Sequence, residues 1–302
     1  MRLSFALMFI AAAFTIALAG CAKAQKPGEI RLGPLEIKIL ADAQFDRDAA
    51  ILVSPENPDL LQNIPADFKM VSGVSVILAK CGNETVLFDA GLGKESGGKL
   101  LDSLQEAQVS PDDITAVFIT HLHFDHFGGL VQGGKPSFPN ATVYLAQEEA
   151  DYFLRDISDI PEQERGRFQG AITCFAALES AGIPIVKFPS GSDLTEYFGD
   201  WKFSFKSEQA FGHTPGHTIY RLNSDGKEIL IWGDILHVID IQLSWTDISA
   251  TYDMDTELAK GVRRRVLEDA AARSIVTAGS HTTAPGLFRI AKKGDGFIRK
   301  EL

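Results

Sequence analysis

His121-Leu122-His123-Phe124-Asp125-His126 packs three imidazoles and a carboxylate into six positions, directly after the apolar run from Ile114 to Ile119. Imidazole nitrogens and carboxylate oxygens are borderline and hard donors that suit zinc and similar divalent ions. Setting them on one tight turn after a rigid strand lowers the entropic cost of assembling a site. The chain holds only seven histidines in 302 residues, so this spacing arises by accident in about 2 of 10,000 such chains. A second group, Gly212-His213-Thr214-Pro215-Gly216-His217-Thr218, stands beside another expected strand. Asp234 closes Trp232-Gly233-Asp234, and His281 closes Ala278-Gly279-Ser280-His281. Each candidate sits where a strand ends, and in layered α/β folds such loops converge on one crevice. Metal binding with a position left open for water is the arrangement of a hydrolytic site.

The elements that must position these residues are legible from hydrophobic periodicity. Alternation in Leu35-Glu36-Ile37-Lys38-Ile39 argues for strands between Ile30 and Phe45, and Asp46 to Val71, punctuated by Pro55, Pro58 and Pro65, reads as loop. Val74 to Ala79 and Thr85 to Phe88 form a hairpin around Cys81-Gly82-Asn83-Glu84. Lys99 to Gln108 has helical spacing, Ile114 to Ile119 is a buried strand, and Thr142 to Leu145 is strand-like. Gln147 to Ala181 reads as largely helical with a break near Pro161. A second β-rich half covers Lys202 to Lys206, Thr218 to Leu222 and Glu228 to Trp232, then a helix from Asp255 to Arg273 and a last strand from Ser274 to Thr277. Two successive β-rich halves with helices predict layered α/β packing in one domain.

With these motifs the chain resembles the metallo-β-lactamase superfamily, whose hallmark is an H-x-H-x-D-H loop followed by spaced His, Asp and His. The resemblance implies a four-layer αβ/βα sandwich over residues 30–302. Phe138-Pro139-Asn140-Ala141, Ala150-Asp151-Tyr152-Phe153-Leu154, Gly212 to Thr218, Trp232-Gly233-Asp234, Ile241-Gln242 and Ala278 to His281 are most similar to the methyl parathion hydrolase branch. It implies two divalent metal ions, zinc first, with cobalt, manganese, iron or mixed pairs fitting the same donors. His121, His123 and His213 would hold one, Asp125, His126 and His281 the other, and Asp234 would bridge them. A hydroxide generated at such a pair attacks a carbonyl carbon or phosphorus, with Asp125 carrying a proton to the leaving group. The implied function is hydrolysis of small esters, lactones or phosphotriesters, in a homodimer.

Other residues divide between support and substrate contact. His217 reads as a supporting residue, Asp89 as a brace for the metal loops, and His237 as either a pocket residue or part of a surface turn. Tyr152, Phe153 and Phe168 read as core or as an aromatic pocket wall. Quorum-lactone hydrolases of this superfamily usually carry a Tyr shortly after the bridging Asp, where this chain has Ile235-Leu236-His237; that weighs against lactonase as the main activity. β-Lactamases with a Cys ligand are disfavoured by Asp234, and the cationic tail of glyoxalase-type enzymes is not evident after His281. The alternatives are N-acyl-homoserine lactonase or β-lactamase activity and, as the rival of a different class, a lipoprotein that binds metal without catalysis.

Composition sets the outer bounds. Forty acidic against 29 basic side chains give a formal net charge of −11. That disfavours nucleic acid, whose phosphates need clustered Lys and Arg, and predicts a neutral or weakly polar small-molecule substrate. Residues 1–20 carry Arg2 and then an apolar run too short for a convincing membrane span, which reads as an export signal. Leu18-Ala19-Gly20-Cys21 resembles the lipobox of bacterial lipoproteins, implying lipid on Cys21, a membrane anchor, and a periplasmic or outer-membrane location in a Gram-negative cell. Residues 21–29, with Pro27-Gly28, read as a tether. Cys81 and Cys174 then remain, either paired or as free thiols.

Overall fold

Strands whose side chains are apolar on both faces have to be covered on both faces, and this chain meets that demand with two sheets and two helical layers. The computed structural model describes residues 28–198, 203–283 and 285–302. The expected export signal, Cys21 and most of the tether lie outside the described residues.

The first sheet has seven strands in chain order: β1 (Glu29–Leu32), β2 (Leu35–Asp48), β3 (Lys69–Cys81), β4 (Glu84–Phe88), β5 (Ala116–Phe118), β6 (Thr142–Ala146) and β7 (Ile185–Phe188). β1 to β4 are antiparallel neighbours, whereas β4, β5, β6 and β7 run parallel. The second sheet has six, also in order: β8 (Ser204–Gln209), β9 (Thr218–Ser224), β10 (Lys227–Ile231), β11 (Val276–Ala278), β12 (Leu287–Lys293) and β13 (Gly296–Lys300). Here only β10 and β11 are parallel. The helices are α1 (Leu100–Glu106), α2 (Phe124–Phe127), α3 (Gln147–Phe153), α4 (Glu162–Ser180), α5 (Ile239–Ser244) and α6 (Thr256–Ala272).

Side-chain alternation divides three cores. In β3, Val76 and Leu78 face a core shared with Leu104, Phe153, Phe168 and Phe175, so α1, α3 and α4 cover that side of the first sheet. Ile77 and Ala79 point the other way, into a core built with Phe205, Tyr220, Ile231 and Val276 of the second sheet. Phe118 stands at the centre of that inter-sheet layer, its ring centroid 5.8 Å from Phe88 and 4.9 Å from Phe205. The outer face of the second sheet is covered by Val266, Leu267 and Ala270 of α6 and Leu243 of α5. The order helix, sheet, sheet, helix is the expected four-layer sandwich.

The strand ends differ from expectation. β1 begins at Glu29, inside the expected tether, and β2 and β3 extend to Asp48 and from Lys69 into what reads as loop. Asp46-Arg47-Asp48 project past the sandwich and lack an apolar alternation, though their backbones pair with Val71, Met70 and Lys69. β8 runs Ser204–Gln209 rather than Lys202 to Lys206, and Lys202 lies outside the described residues. β7, α5 and the β12–β13 hairpin were not expected. Cys81 and Cys174 are both free, the first on β3 and the second buried in α4.

Candidate metal centre

Four connections carry the candidate donors to one end of the sandwich. His121, His123, Asp125 and His126 follow β5, with α2 formed by Phe124–Phe127 itself. His213 lies in the β8–β9 loop, Asp234 follows β10 and His281 follows β11. The loops fit closely. Gly233 has φ +54°, and a Cβ there would press on His217 Nε2, so glycine answers both the backbone and the space. Gly216 packs its backbone onto α3, where a Cβ would overlap the Glu149 amide.

The structure brings all seven expected residues together around Asp234. Its Oδ1 is 3.3 Å from His126 Nε2, and its Oδ2 is 3.0 Å from His281 Nε2, 3.4 Å from His213 Nε2 and 3.7 Å from His121 Nε2. His123 Nδ1 is 2.9 Å from His213 Nε2. Asp125 lies 3.8 Å from His126 Nε2 through Oδ1 and 3.7 Å from His281 Nε2 through Oδ2. Donor atoms of His121, His123, His213 and Asp234 all fall within 4.8 Å of one another, as do those of Asp125, His126 and His281.

The polar atoms are poorly satisfied by the protein alone. His121 Nε2, His126 Nε2, Asp234 Oδ1 and His237 Nδ1 are buried without a hydrogen-bond partner. Buried polar groups are normally paired, and leaving four orphaned in one cluster is costly unless something else binds them. Buried nitrogens and a carboxylate aimed at a common point fit a divalent cation of the zinc type.

Charge is unevenly shared. Burial lowers the affinity of His121 and His123 for a proton, and neighbouring imidazoles lower it further. Burial acts in the same direction on His126, but the carboxylates of Asp234, Asp89 and Asp125 outweigh it and raise its pKa. His213 is likewise raised to about 9 against burial by its bonds to Asp234 and Asp253. Asp234 is held well below the carboxylate range because the surrounding imidazoles overcome its burial. The carboxylates thus favour positive charge at His126 and His213, the charge that a divalent cation would supply.

The opposite imidazole nitrogens are fixed. Asp89 Oδ2 is 2.8 Å from His126 Nδ1, and Asp89 also accepts from the Thr120 amide and hydroxyl at 2.8 and 2.9 Å. Its φ of +67° is unusual for a non-glycine residue, though Asp tolerates it better than most. The Gly73 carbonyl is 3.0 Å from His281 Nδ1. His217 has both ring nitrogens engaged: Nδ1 donates to the Ala210 carbonyl at 3.1 Å, and Nε2 accepts from the Asp234 amide at 3.2 Å. It braces the site rather than offering a free donor.

Three supporting residues escaped sequence reasoning. Buried Glu149 on α3 accepts from the Leu122 amide at 2.6 Å, the Thr214 hydroxyl at 2.8 Å and the Gly216 amide at 2.9 Å, which joins the two His-containing loops. Burial raises its pKa to about 7, partly offset by those donors. Asp253 contacts His213 Nδ1, and buried Arg263 donates to Asp253 and to the carbonyls of Ile235, Thr246 and Ile248. Their sequence signals are weak: Arg263 reads as part of a solvated Arg263-Arg264-Arg265 helix face.

His237 is buried rather than on a surface turn, its Nε2 3.2 Å from Asp234 Oδ2. Phe153 and Phe168 are buried in the helical-side core with Tyr152 packed against them, so core is their place. Phe153 still backs the centre, 6.2 Å from His123 between ring centroids.

The metallo-beta-lactamase superfamily model matches residues 70–277. N-acyl homoserine lactonase AiiB of Rhizobium rhizogenes is 29% identical over 163 residues, 43% of this chain and 53% of its own. Probable RNase MJ4 of Methanocaldococcus jannaschii is 29% identical over 187 residues, 60% of this chain and 40% of its own. The chain thus spans about half the length, or less, of these curated relatives. Among solved structures, AidC, a dizinc quorum-quenching lactonase in complex with a product, has a TM-score of 0.75 at 26% identity, covering 91% of this chain and 97% of that one. AbOPH, a hydrolase in the beta lactamase superfamily, has a TM-score of 0.79 at 22% identity, covering 93% and 98%, a likeness of fold alone.

Proposed function

The chain belongs to the metallo-β-lactamase superfamily as a metal-dependent hydrolase, and we propose that it uses two divalent ions, zinc first, to open lactones and cleave small esters, with phosphotriesters open to the same chemistry. His121, His123 and His213 would hold one ion and Asp125, His126 and His281 the other, with Asp234 within reach of both groups. The observation that carries this reading is the position of Asp234 between the trios, Oδ1 3.3 Å from His126 Nε2 and Oδ2 3.4 Å from His213 Nε2.

When bound, such a pair would supply Lewis acidity and lower the pKa of water in the site. The chain's own residues do the rest. Asp89, Asp253 and the Gly73 carbonyl take up Nδ1 of His126, His213 and His281, which leaves Nε2 of each as the atom that would ligate a cation. Asp125, with 23% of its side chain exposed, is the most open carboxylate of the cluster. It carries the proton from the nucleophile to the leaving group.

The likeness to AidC across most of both chains favours lactones within this class. Ile235-Leu236-His237 stands in the region shortly after Asp234 where the lactonases of the superfamily usually carry a Tyr, so the wall beside Asp234 is built differently. A net charge of −11 argues against polyanionic RNA, despite the likeness to an RNase.

We also propose, from the likeness of its motifs to the methyl parathion hydrolase branch, that the chain stands near that branch and forms a homodimer. Leu18-Ala19-Gly20-Cys21 supports the further proposal of a protein outside the cytoplasm, anchored by lipid on Cys21. Light scattering tests the dimer, and mass spectrometry of the N-terminal peptide tests the anchor.

A panel of lactones, aryl esters and a phosphotriester against the metal-reconstituted mature protein decides the activity. We expect turnover that is lost on chelation and in His126→Ala. A protein that binds two equivalents of zinc yet hydrolyses none of them is a metal-binding module instead.

A further inference from the structure

We propose that Arg47 is the specificity-determining residue at the rim of the metal centre, recognising a hydrogen-bond acceptor, an amide carbonyl or a carboxylate, on the part of the substrate that is not cleaved; this rests on the hydrolase reading above. Arg47 lies near the end of β2, where the strand overhangs the sandwich and pairs with Met70. Phe45 and Arg47 share one face of the strand, while Asp46 and Asp48 point to the other. The guanidinium carbon sits 4.7 Å from the Phe45 ring centroid and 5.7 Å from that of Tyr252, and Nη1 donates to the Tyr252 hydroxyl at 3.0 Å.

Tyr252 links this cation to the centre. Its ring is 5.5 Å from that of His237, which stacks at 4.8 Å on His281 and approaches Asp234. The turn carrying Tyr252 is tied down on both sides. Thr251 donates to the Ile51 carbonyl at 2.8 Å, and Met254 donates to the His213 carbonyl at 3.1 Å. Arg47 thus stands two aromatic rings, Tyr252 and His237, outside the metal donors on a fixed support.

What it lacks is an anion. In a chain with 40 acidic residues, Arg47 has no carboxylate within ion-pair distance among the described residues. The guanidinium offers five N–H donors in a rigid fork, and one of these is taken by Tyr252. Contact with two rings and one hydrogen bond restrain the guanidinium in advance, so less freedom is lost when an acceptor oxygen binds. Arg47 is only partly buried, so its remaining donors are open to water, which an acceptor oxygen on a substrate can replace.

The test compares an N-acyl homoserine lactone and a lactone bearing a terminal carboxylate with an alkyl lactone of equal length that has neither group. In Arg47→Met, the ratio of kcat/KM between acceptor-bearing and plain lactones falls by about 10- to 100-fold, carried by KM. Arg47→Lys restores part of the ratio for the carboxylate lactone, and Tyr252→Phe lowers both ratios less than Arg47→Met does. If the amide lactone alone responds, the acceptor is neutral; if the carboxylate lactone alone responds, it is anionic. An unchanged ratio in Arg47→Met overturns the proposal. Calorimetric binding of the ring-opened products to the zinc-loaded protein reads the same contrast without turnover, so an inactive wild type would defeat the hydrolase reading and still leave Arg47 decided.

Discussion

Asp253 Oδ1 lies 2.9 Å from His213 Nδ1, while its Oδ2 accepts from the buried guanidinium of Arg263 at 3.0 Å. One carboxylate thereby fixes a candidate ligand and neutralises a cation that the fold has taken out of water. Asp253→Asn keeps the shape and removes the charge. Zinc affinity is expected to fall about 10- to 100-fold, because the outer partner no longer holds the imidazole in its ligating tautomer. Stability should fall as well, by roughly 3–5 kcal/mol, since Arg263 is left buried and unpaired. Competition titration with a zinc chelator and urea unfolding read the two effects separately; unchanged affinity would remove Asp253 from the account of the site.

Asp234→Asn tests the centre itself. An amide has one neutral acceptor where the carboxylate has two anionic ones, so it cannot serve two cations. The variant should retain fewer than two zinc ions by elemental analysis and lose at least about 100-fold in kcat. Two tightly held ions in this variant would exclude Asp234 as the shared ligand.

The His121–His126 cluster was legible because its signal is local, four donors within six residues after a buried strand. The strands that carry His213, Asp234 and His281 announce themselves by apolar runs, and so did the two-sheet architecture. Glu149 and Asp253 were not legible. Each is one carboxylate among 40, and its meaning appears only when α3 meets the His213 loop or when the Tyr252 turn sets Asp253 between His213 and Arg263 of α6. Arg263 misled for a related reason: one helix face carries it inward while Arg264 and Arg265 on the same run stay outside, with Arg263 1% exposed against half-exposed neighbours. The β12–β13 hairpin turns at Lys293-Gly294-Asp295-Gly296, a glycine-rich signal of hairpin type that lacked a long enough alternation to stand out.

Glu149 gives a pH prediction with a definite sign. Its pKa is raised from 4.5 to about 7 in the folded protein by burial. The native state therefore binds a proton more tightly than the unfolded chain, and this contribution is complete below about pH 4.5 and lost as pH rises through about 7. Glu149→Gln removes that titration. In urea unfolding, the stability of Glu149→Gln relative to the wild type should rise between pH 5 and pH 8, and a flat difference would mean that the carboxyl titrates normally.

Phe118→Ala probes the inter-sheet layer without touching a metal donor. The ring is fully buried among Phe88, Tyr144, Phe205 and Tyr220, and its removal leaves a cavity between two sheets that cannot close independently. A loss of about 3–5 kcal/mol is expected by denaturant titration. A loss below about 1 kcal/mol would show that the sheets repack around the gap.

Metal removal should act on stability and on protons together. The folded state gathers the donors and the unfolded chain does not, so free zinc at a thousand times its dissociation constant stabilises by about 4 kcal/mol per site. Chelation should lower the melting temperature, and zinc should restore it. In the metal-free protein the pKa of His213 is about 9, raised by Asp234 and Asp253 against the effect of burial. At neutral pH a cation must therefore displace a proton from His213. The zinc association constant should fall about tenfold per pH unit for each proton displaced as pH drops from 8 to 6, with proton release measurable in weakly buffered solution. His213→Ala should lose affinity and also flatten that slope by one proton. If the slope were the same in the variant and the wild type, His213 would not be the residue that exchanges its proton for the metal.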